Sequence, residues 1–307
     1  MILINSAARR ITDTLTYPSQ KNTTMDNSEQ IEYWNGDAGK RWAEDDDTMA
    51  RLLRPVSQTL LDHGAVEGCR SDLDVGCGGG SQSLMLAQRL GEGARVLGVD
   101  ISEPMLQVAQ RKAQTPAAGR ASLEFIKADA ATHAFPAGEF DLLFSRFGVM
   151  FFDDPLAAFT NMRRALNVDA RLAFCCWQAP QKNDWVRIPM QAALQHLPQP
   201  EPPPPHAPGP FAFADPARTE SILAGAGFSQ IALQPFSTTL RLSESDSLPE
   251  AVLELSRIGP VSRLLADQPK ATLDKVLPAM EAALRPYFKP GALDMQAAFW
   301  LVTALNS

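Results

Sequence analysis

Two hydrophobic patterns alternate along the chain from Val56 onward. Short runs dense in apolar residues, such as Phe140 to Ser145, have the length of a strand buried on both faces. Longer stretches place an apolar residue every three or four positions, the spacing of a helix with one buried side. Val56 to His63 reads as the end of a helix, and Ser71 to Val75 as a strand running into glycines. Ser81 to Leu90 is a helix capped by Ser81 or Ser83, followed by a second strand from Arg95 to Asp100. Ser102 caps the next helix, which has Pro104 in its first turn and reaches about Ala113. Ser122 to Ile126, Phe140 to Ser145 and Arg171 to Trp177 are the third, fourth and fifth strands. A helix capped by Asp154, with Pro155 first, joins the last two and ends near Leu166. Strands alternating with helices of this length imply βαβ units and a parallel sheet covered on both faces. Ligands on such sheets bind at the carboxyl ends of the strands, where strand order reverses.

Beyond Trp177 the pattern loosens. Pro198 to Pro210 holds eight prolines in thirteen residues and predicts an extended spacer rather than core. A helix follows at Thr219 to Ala226, stopped by Gly227, then strands at Phe228 to Leu233 and Ser237 to Leu242. Leu248 to Tyr287 is helical but interrupted by Pro260, Pro269, Pro278 and Pro286, and Ala297 to Leu305 forms a last strand. At the other end, residues 1–25 set Arg9, Arg10 and Lys21 against one acid, Asp13, amid many Ser and Thr. They are expected to be a disordered leader, with Met25 as an alternative start. The expected divisions are a leader over 1–30, a core with an N-terminal lid over 31–177, and a remainder over 178–307. That remainder contains the linker 198–210 and a helical cap at about 246–290.

Composition narrows the class. The 307 residues are 45% hydrophobic and 21% charged, ordinary for a globular protein. No apolar run approaches the ~20 residues that span a bilayer, so no integral membrane segment is expected and the cytoplasm is the expected location. A net charge of -7 without a dense Lys/Arg cluster argues against a nucleic-acid substrate. Cys69, Cys77, Cys175 and Cys176 form no C-x-x-C pair, and with four histidines in the chain no metal site is expected. They read as buried, reduced thiols.

The chemistry gathers at the strand ends. Leu73-Asp74-Val75-Gly76-Cys77-Gly78-Gly79-Gly80 lies between a strand and a helix, where glycines let the backbone approach a ligand. A dinucleotide turn would need glycine or alanine where Ser81 stands, and a carboxylate at Asp74 would repel a pyrophosphate. A ligand carrying an ammonium and a sulfonium would be attracted to it. Asp100 ends the second strand, placed to accept both hydroxyls of a ribose, a charge-assisted pair worth roughly 1.5–3 kcal/mol. Asp129, after the third strand, is placed to accept from the exocyclic amine of an adenine.

In this order and spacing the three positions resemble the class I S-adenosylmethionine-dependent methyltransferases, over about Leu73 to Trp177. The flanking Tyr33-Trp34-Asn35-Gly36, Arg41-Trp42 and the run from Ser145 to Pro155 resemble a small-molecule subgroup related to the ubiquinone/menaquinone methyltransferase type. The resemblance implies S-adenosylmethionine as cofactor and a Rossmann-like seven-stranded, mostly parallel α/β sheet with its last strand antiparallel. The helices from Leu248 would then cap the substrate pocket. It implies Asp74, Gly76, Gly78 and Gly80 around the methionine part and Asp100 on the ribose. Ile101 and Met105 would lie beside the adenine, Asp129 and Ala130 at its edge, and Ser145 near the methyl-transfer site. A soluble enzyme, monomeric or dimeric, acting on a small apolar or aromatic metabolite (quinone-, polyketide- or isoprenoid-like) is the expectation. A nicotinamide-dependent oxidoreductase and a non-catalytic cofactor-binding module are the competing readings.

Other residues admit two roles each. Trp34 and Trp42 either face the sulfonium, a cation–π contact of ~0.5–2 kcal/mol, or anchor a helix to the core. Arg41 either pairs the cofactor carboxylate or is solvated, and Glu44 to Asp47 reads as a solvated acidic turn. His63 and His133 are potential bases but fit surface or capping positions better. Arg146 either holds an anionic substrate group or pairs with Asp153 or Asp154. Phe147, Met150, Phe151 and Phe152 line a pocket or fill the core. No residue is assigned as catalytic.

Overall fold

The sheet grows outward from a strand that has no exposed residue. All five positions of β1 (Ser71–Val75) are buried. β2 (Arg95–Asp100) and β4 (Phe140–Arg146) pair with it in parallel, one on each side. β3 (Ser122–Lys127) extends the sheet beyond β2, and β5 (Leu166–Trp177) beyond β4, both in parallel. The protein is represented by a computed structural model that describes residues 27–307 apart from positions 116, 203 and 267. Of the leader expected over residues 1–30, residues 1–26 lie outside the described residues, and a helix begins at Ser28, inside the remainder of that segment.

Three helices precede the sheet: α1 (Ser28–Asn35), α2 (Asp37–Glu44) and α3 (Asp46–His63). The crossovers are α4 (Ser81–Leu90), α5 (Glu103–Ala113) and α6 (Pro155–Arg164). The Asp154 carboxylate accepts the Ala157 N–H at 2.9 Å, as its capping position requires. After β5 come α7 (Asp184–Ala193), α8 (Pro216–Gly225), β6 (Ser229–Ser243), α9 (Leu248–Leu255), α10 (Gly259–Leu265) and α11 (Lys270–Leu284). The chain closes with a hairpin of β7 (Phe288–Lys289) and β8 (Ala292–Asn306). β8 inserts antiparallel between β5 and β6, giving the order β3-β2-β1-β4-β5-β8-β6 with the short β7 off its flank. This is the expected Rossmann-like sheet, with one two-residue strand added.

Two differences from the sequence reading have simple causes. The two strands expected around residues 228–242 are one, passing through Pro235. β6 is an edge strand paired only with β8, and an edge tolerates a residue with no N–H to donate. The described residues of the proline-rich spacer are exposed through His206, but its end turns inward, with the Gly209 N–H donating to the Met150 carbonyl at 3.0 Å. Pro210 therefore reaches the interior face that the spacer was expected to avoid.

Asn183 ties the late elements to the sheet. It is fully buried just before α7, and its Nδ2 donates to the carbonyls of Gln178 (3.1 Å) and Ala179 (3.2 Å). Its Oδ1 accepts from Trp185 Nε1 (3.1 Å) and from the Ala298 N–H on β8 (2.8 Å). Truncating it strands several buried polar groups, each worth about 1–3 kcal/mol. Asn183→Ala is expected to lower stability by about 2–4 kcal/mol in urea unfolding, and a loss under 1 kcal/mol would show that this hub is dispensable.

Candidate active site

The sheet's topology places its opening. From β1 the chain winds toward β3, then jumps to β4 and winds the other way, so strand order reverses between β1 and β4. At the carboxyl ends of these strands lies a cavity of about 240 Å³, many times what one water occupies, and thus a ligand chamber rather than a packing void.

Seven of the ten residues expected around a cofactor line this chamber: Gly76, Gly78, Asp100, Ile101, Met105, Asp129 and Ala130. Gly76 has φ +68°, and a Cβ there would sit 2.6 Å from Gly148 Cα, so the two turns could not meet around a side chain. Gly78 has φ +53°, and a Cβ on it would meet only the flexible end of Met105, leaving bare backbone facing the space. The Asp100 carboxylate accepts the Gly78 N–H through one oxygen and the Ser102 N–H through the other, both at 2.8 Å. Burial pushes its pKa upward against these bonds. Each oxygen keeps a further acceptor site for a ligand. Asp129 has one oxygen on the Ala131 N–H at 2.9 Å.

The other three stand behind the wall. Ser145 Oγ donates to the Val75 carbonyl at 2.7 Å and accepts the Gly148 N–H at 3.2 Å, so it braces the two turns. Gly80 starts α4 and packs against Ala109 and Phe125. Asp74 is fully buried beneath the glycine turn, with Ser83 Oγ donating to it at 2.5 Å and its second oxygen unpartnered. Desolvation drives its pKa up to about 7, against the Ser83 bond and the field of Arg146. It is not among the residues that line the chamber.

The N-terminal helices close the chamber from outside. Asn35 Nδ2 donates to the Ile101 carbonyl (2.9 Å) and its Oδ1 accepts the Glu103 N–H (3.0 Å), while Ser102 Oγ donates to the Trp34 carbonyl at 2.7 Å. That last bond takes the hydroxyl away from capping α5. Trp34 and Trp42 both line the chamber, their rings edge-to-face at 5.8 Å, with Phe151 edge-on to Trp34 at 5.5 Å. Arg41 is exposed and outside it. Asp46 corrects the expectation of a solvated acidic turn. It is buried, lines the chamber against Gly79, and pairs with Lys112. Its spacing to Met49, Leu53 and Val56 puts it on the apolar face of α3, a signal present in the sequence.

The far half of the chamber is aromatic. Phe147 stacks on Trp177 with centroids 4.1 Å apart, and Trp185 lies 5.1 Å beyond. Phe147 holds φ +64°, a strained value for a side chain of its size, at the turn before Gly148. Phe147, Met150, Phe151 and Phe152 all line the chamber. Neither His63 nor His133 does, and Arg146 does without pairing Asp153 or Asp154.

Comparison with known proteins agrees with this geometry. The family described as "Methyltransferase domain" matches residues 73–174. A nocamycin O-methyltransferase from Saccharothrix syringae is 30% identical over 194 residues, covering 61% of this chain and 69% of that protein. The chain belongs to the class I S-adenosylmethionine-dependent methyltransferases. An aklanonic acid methyltransferase from a Streptomyces strain is 28% identical over 48% of this methyltransferase and 69% of its own length. A demethylmenaquinone methyltransferase from Thermus thermophilus is 35% identical over 41% and 56%. Among solved structures, phosphoethanolamine N-methyltransferase 2 from Haemonchus contortus shares the fold (TM-score 0.52, 17% identity, 92% of this chain and 59% of that one). So does a YcgJ protein from Bacillus subtilis (TM-score 0.51, 14% identity, 81% and 97%). Among the described residues, no helix is long and apolar enough to cross a membrane.

The raised Asp74 carboxyl has a pH consequence. Between about pH 4 and pH 7 the unfolded chain releases this proton while the folded chain keeps it, so unfolding gains as pH rises. Above pH 7 the penalty is constant. Asp74→Asn, which cannot ionise, is expected to gain on the wild type by about 1–4 kcal/mol between pH 5 and pH 8 in urea titrations. A wild-type-to-variant difference that stays flat over that range would mean Asp74 is ionised in the fold.

Proposed function

We propose that the methyltransferase moves a methyl group from S-adenosylmethionine to a small, apolar or aromatic metabolite of polyketide- or quinone-like character. One observation carries this: the chamber is continuous from the acidic strand ends at Asp100 and Asp129 to the aromatic wall of Phe147, Trp177 and Trp185. Asp100 suits the ribose hydroxyls and Asp129 the adenine edge, with Ile101 and Met105 flanking the ring. Gly76 and Gly78 leave backbone for the methionine tail. When bound, the cofactor supplies an electrophilic methyl carbon on a sulfonium.

The protein's own part is to align an acceptor against that carbon and to exclude water. Trp34, Trp42 and Phe151 close the side under the N-terminal helices, where their ring faces suit a cationic sulfur. Phe147 and Trp177, already stacked, present a flat apolar surface that favours a planar acceptor. Pro210, Ile258 and Gly259 add the outer wall. The relatives support a small-molecule acceptor, since they are named as methyltransferases of nocamycin, aklanonic acid and demethylmenaquinone.

Incubation with methyl-labelled S-adenosylmethionine and a panel of aromatic and polyketide-like compounds is expected to give labelled product. Turnover confined to polar amines or nucleic acid would overturn the acceptor class. In calorimetry, S-adenosylhomocysteine is expected to bind and NAD not to. Asp100→Ala is expected to weaken S-adenosylhomocysteine at least tenfold, and an unchanged affinity would remove Asp100 from the ribose.

A further inference from the structure

Arg146 is an enclosed cation without an anion. It is the one basic side chain lining the chamber among the described residues. Its Nη1 donates to Ser57 Oγ at 3.0 Å, and its Nε is buried with no partner. No carboxylate of the described residues lies within ion-pairing distance of it. Desolvation pulls its pKa below the usual arginine range, opposed by the more distant Cys175, Asp74 and Asp46. The side chain is half-buried at the chamber wall, but its unpartnered Nε is enclosed and no carboxylate pairs it, an arrangement that an anionic ligand in the chamber would complete.

The sheet edge says which ligand. Read across the strand ends, Asp129 follows β3, Asp100 ends β2, the glycine turn follows β1, Arg146 ends β4, and Trp177 ends β5. The nucleoside side and the glycine turn thus lie on one flank of Arg146. On the other flank its register partner Cys175 leads to Trp177 and the aromatic half of the chamber. The guanidinium offers a planar fork of donors to an oxygen acid entering from that half.

We propose that Arg146 receives an ionised oxygen of the methyl acceptor, making the substrates aromatic or conjugated oxygen acids: carboxylic acids, acidic phenols or enols. This rests on the methyl-transfer reading of the same chamber. In the step, an oxyanion lone pair forms the bond to the methyl carbon, and the carbon–sulfur pair leaves onto sulfur. Anion and sulfonium become a neutral ester or ether and a neutral thioether. No proton has to be removed inside the site, which agrees with a chamber that neither His63 nor His133 lines.

The test uses 2-naphthoate and 2-naphthamide, alike in shape and different in charge, on protein saturated with S-adenosylhomocysteine. Wild type is expected to bind the acid at least tenfold more tightly than the amide. Arg146→Met is expected to bring the two within about twofold, and Arg146→Lys to keep part of the preference. Arg146 is half-buried and forms no ion pair among the described residues, so the thermal midpoint of Arg146→Met is expected to stay close to that of the wild type, and an unchanged midpoint shows that a lost preference is not lost folding. Equal binding of acid and amide by the wild type overturns the proposal. So does a tenfold loss of S-adenosylhomocysteine affinity in Arg146→Met with 5′-methylthioadenosine unaffected, which would give the guanidinium to the cofactor's own carboxylate. S-adenosylhomocysteine binding to the wild type is measured first. Its absence overturns the methyl-transfer reading as a whole, whereas its presence with equal acid and amide binding overturns this assignment alone.

Discussion

Two backbone turns touch where the sheet changes direction, and the chamber depends on that contact. A Cβ on Gly148 would lie 2.4 Å from the Val75 carbonyl oxygen, and one on Gly76 would lie 2.6 Å from Gly148 Cα. No side chain fits between them. Ser145 fastens the same two turns by bonding Val75 and Gly148 at once. Phe147, between Ser145 and Gly148, is thereby held at a positive φ that presents its ring to Trp177. One close approach therefore sets both the bare backbone surface of the glycine turn and the orientation of the aromatic wall.

Around this contact the fold encloses or half-encloses ionisable groups that it does not pair with opposite charge. Asp72 and Asp74 are enclosed on β1 with unpartnered oxygens, Asp100 is held by backbone N–H groups alone, and Arg146 has a single hydroxyl. Burial raises all three carboxyl pKa values and lowers that of the arginine. A stability-optimised core would replace such groups with apolar ones. Elsewhere in the core the buried polar side chains, such as Asn183, Thr219 and Asn306, are neutral and hydrogen-bonded, so the gathering of unpaired ionisable groups under one sheet edge is the pattern expected where binding takes precedence over stability.

The legible part of the sequence was the part that repeats. Strands and crossovers from Ser71 to Trp177 follow from hydrophobic spacing, and the glycine turn with Asp100 and Asp129 follows from position after those strands. Three things were not legible. A fully buried strand such as β1 has no two-residue alternation, so nothing showed that Asp74 faces α4 instead of the chamber. Asp46 was masked by its acidic neighbours, although its spacing to Met49 and Leu53 marks it as inward. Pro235 divided β6 in the reading because edge position is a property of the assembled sheet, not of the local chain.

The chamber's two halves have different origins along the chain. The matched methyltransferase domain ends at residue 174 and supplies the glycine turn, Asp100 and Asp129. Trp177, Trp185, Pro210, Leu240, Leu242, Ile258 and Gly259 all come after it, and Trp34, Trp42, Asp46, Met49 and Leu53 come before it. Much of the chamber wall is therefore built from segments outside the domain: Asn35 and Ser102 tie the N-terminal helices onto it, and Asn183 ties the segment after β5 to β8. The Asn35 and Asn183 bonds run to backbone groups, at Ile101 and Glu103 after the parallel strand β2 and at Ala298 on the antiparallel strand β8. The stretch from Arg146 to Phe152 is the exception, since it belongs to the domain and still lines the chamber. A charge there constrains acceptors by chemical type, while the surrounding apolar segments constrain them by shape.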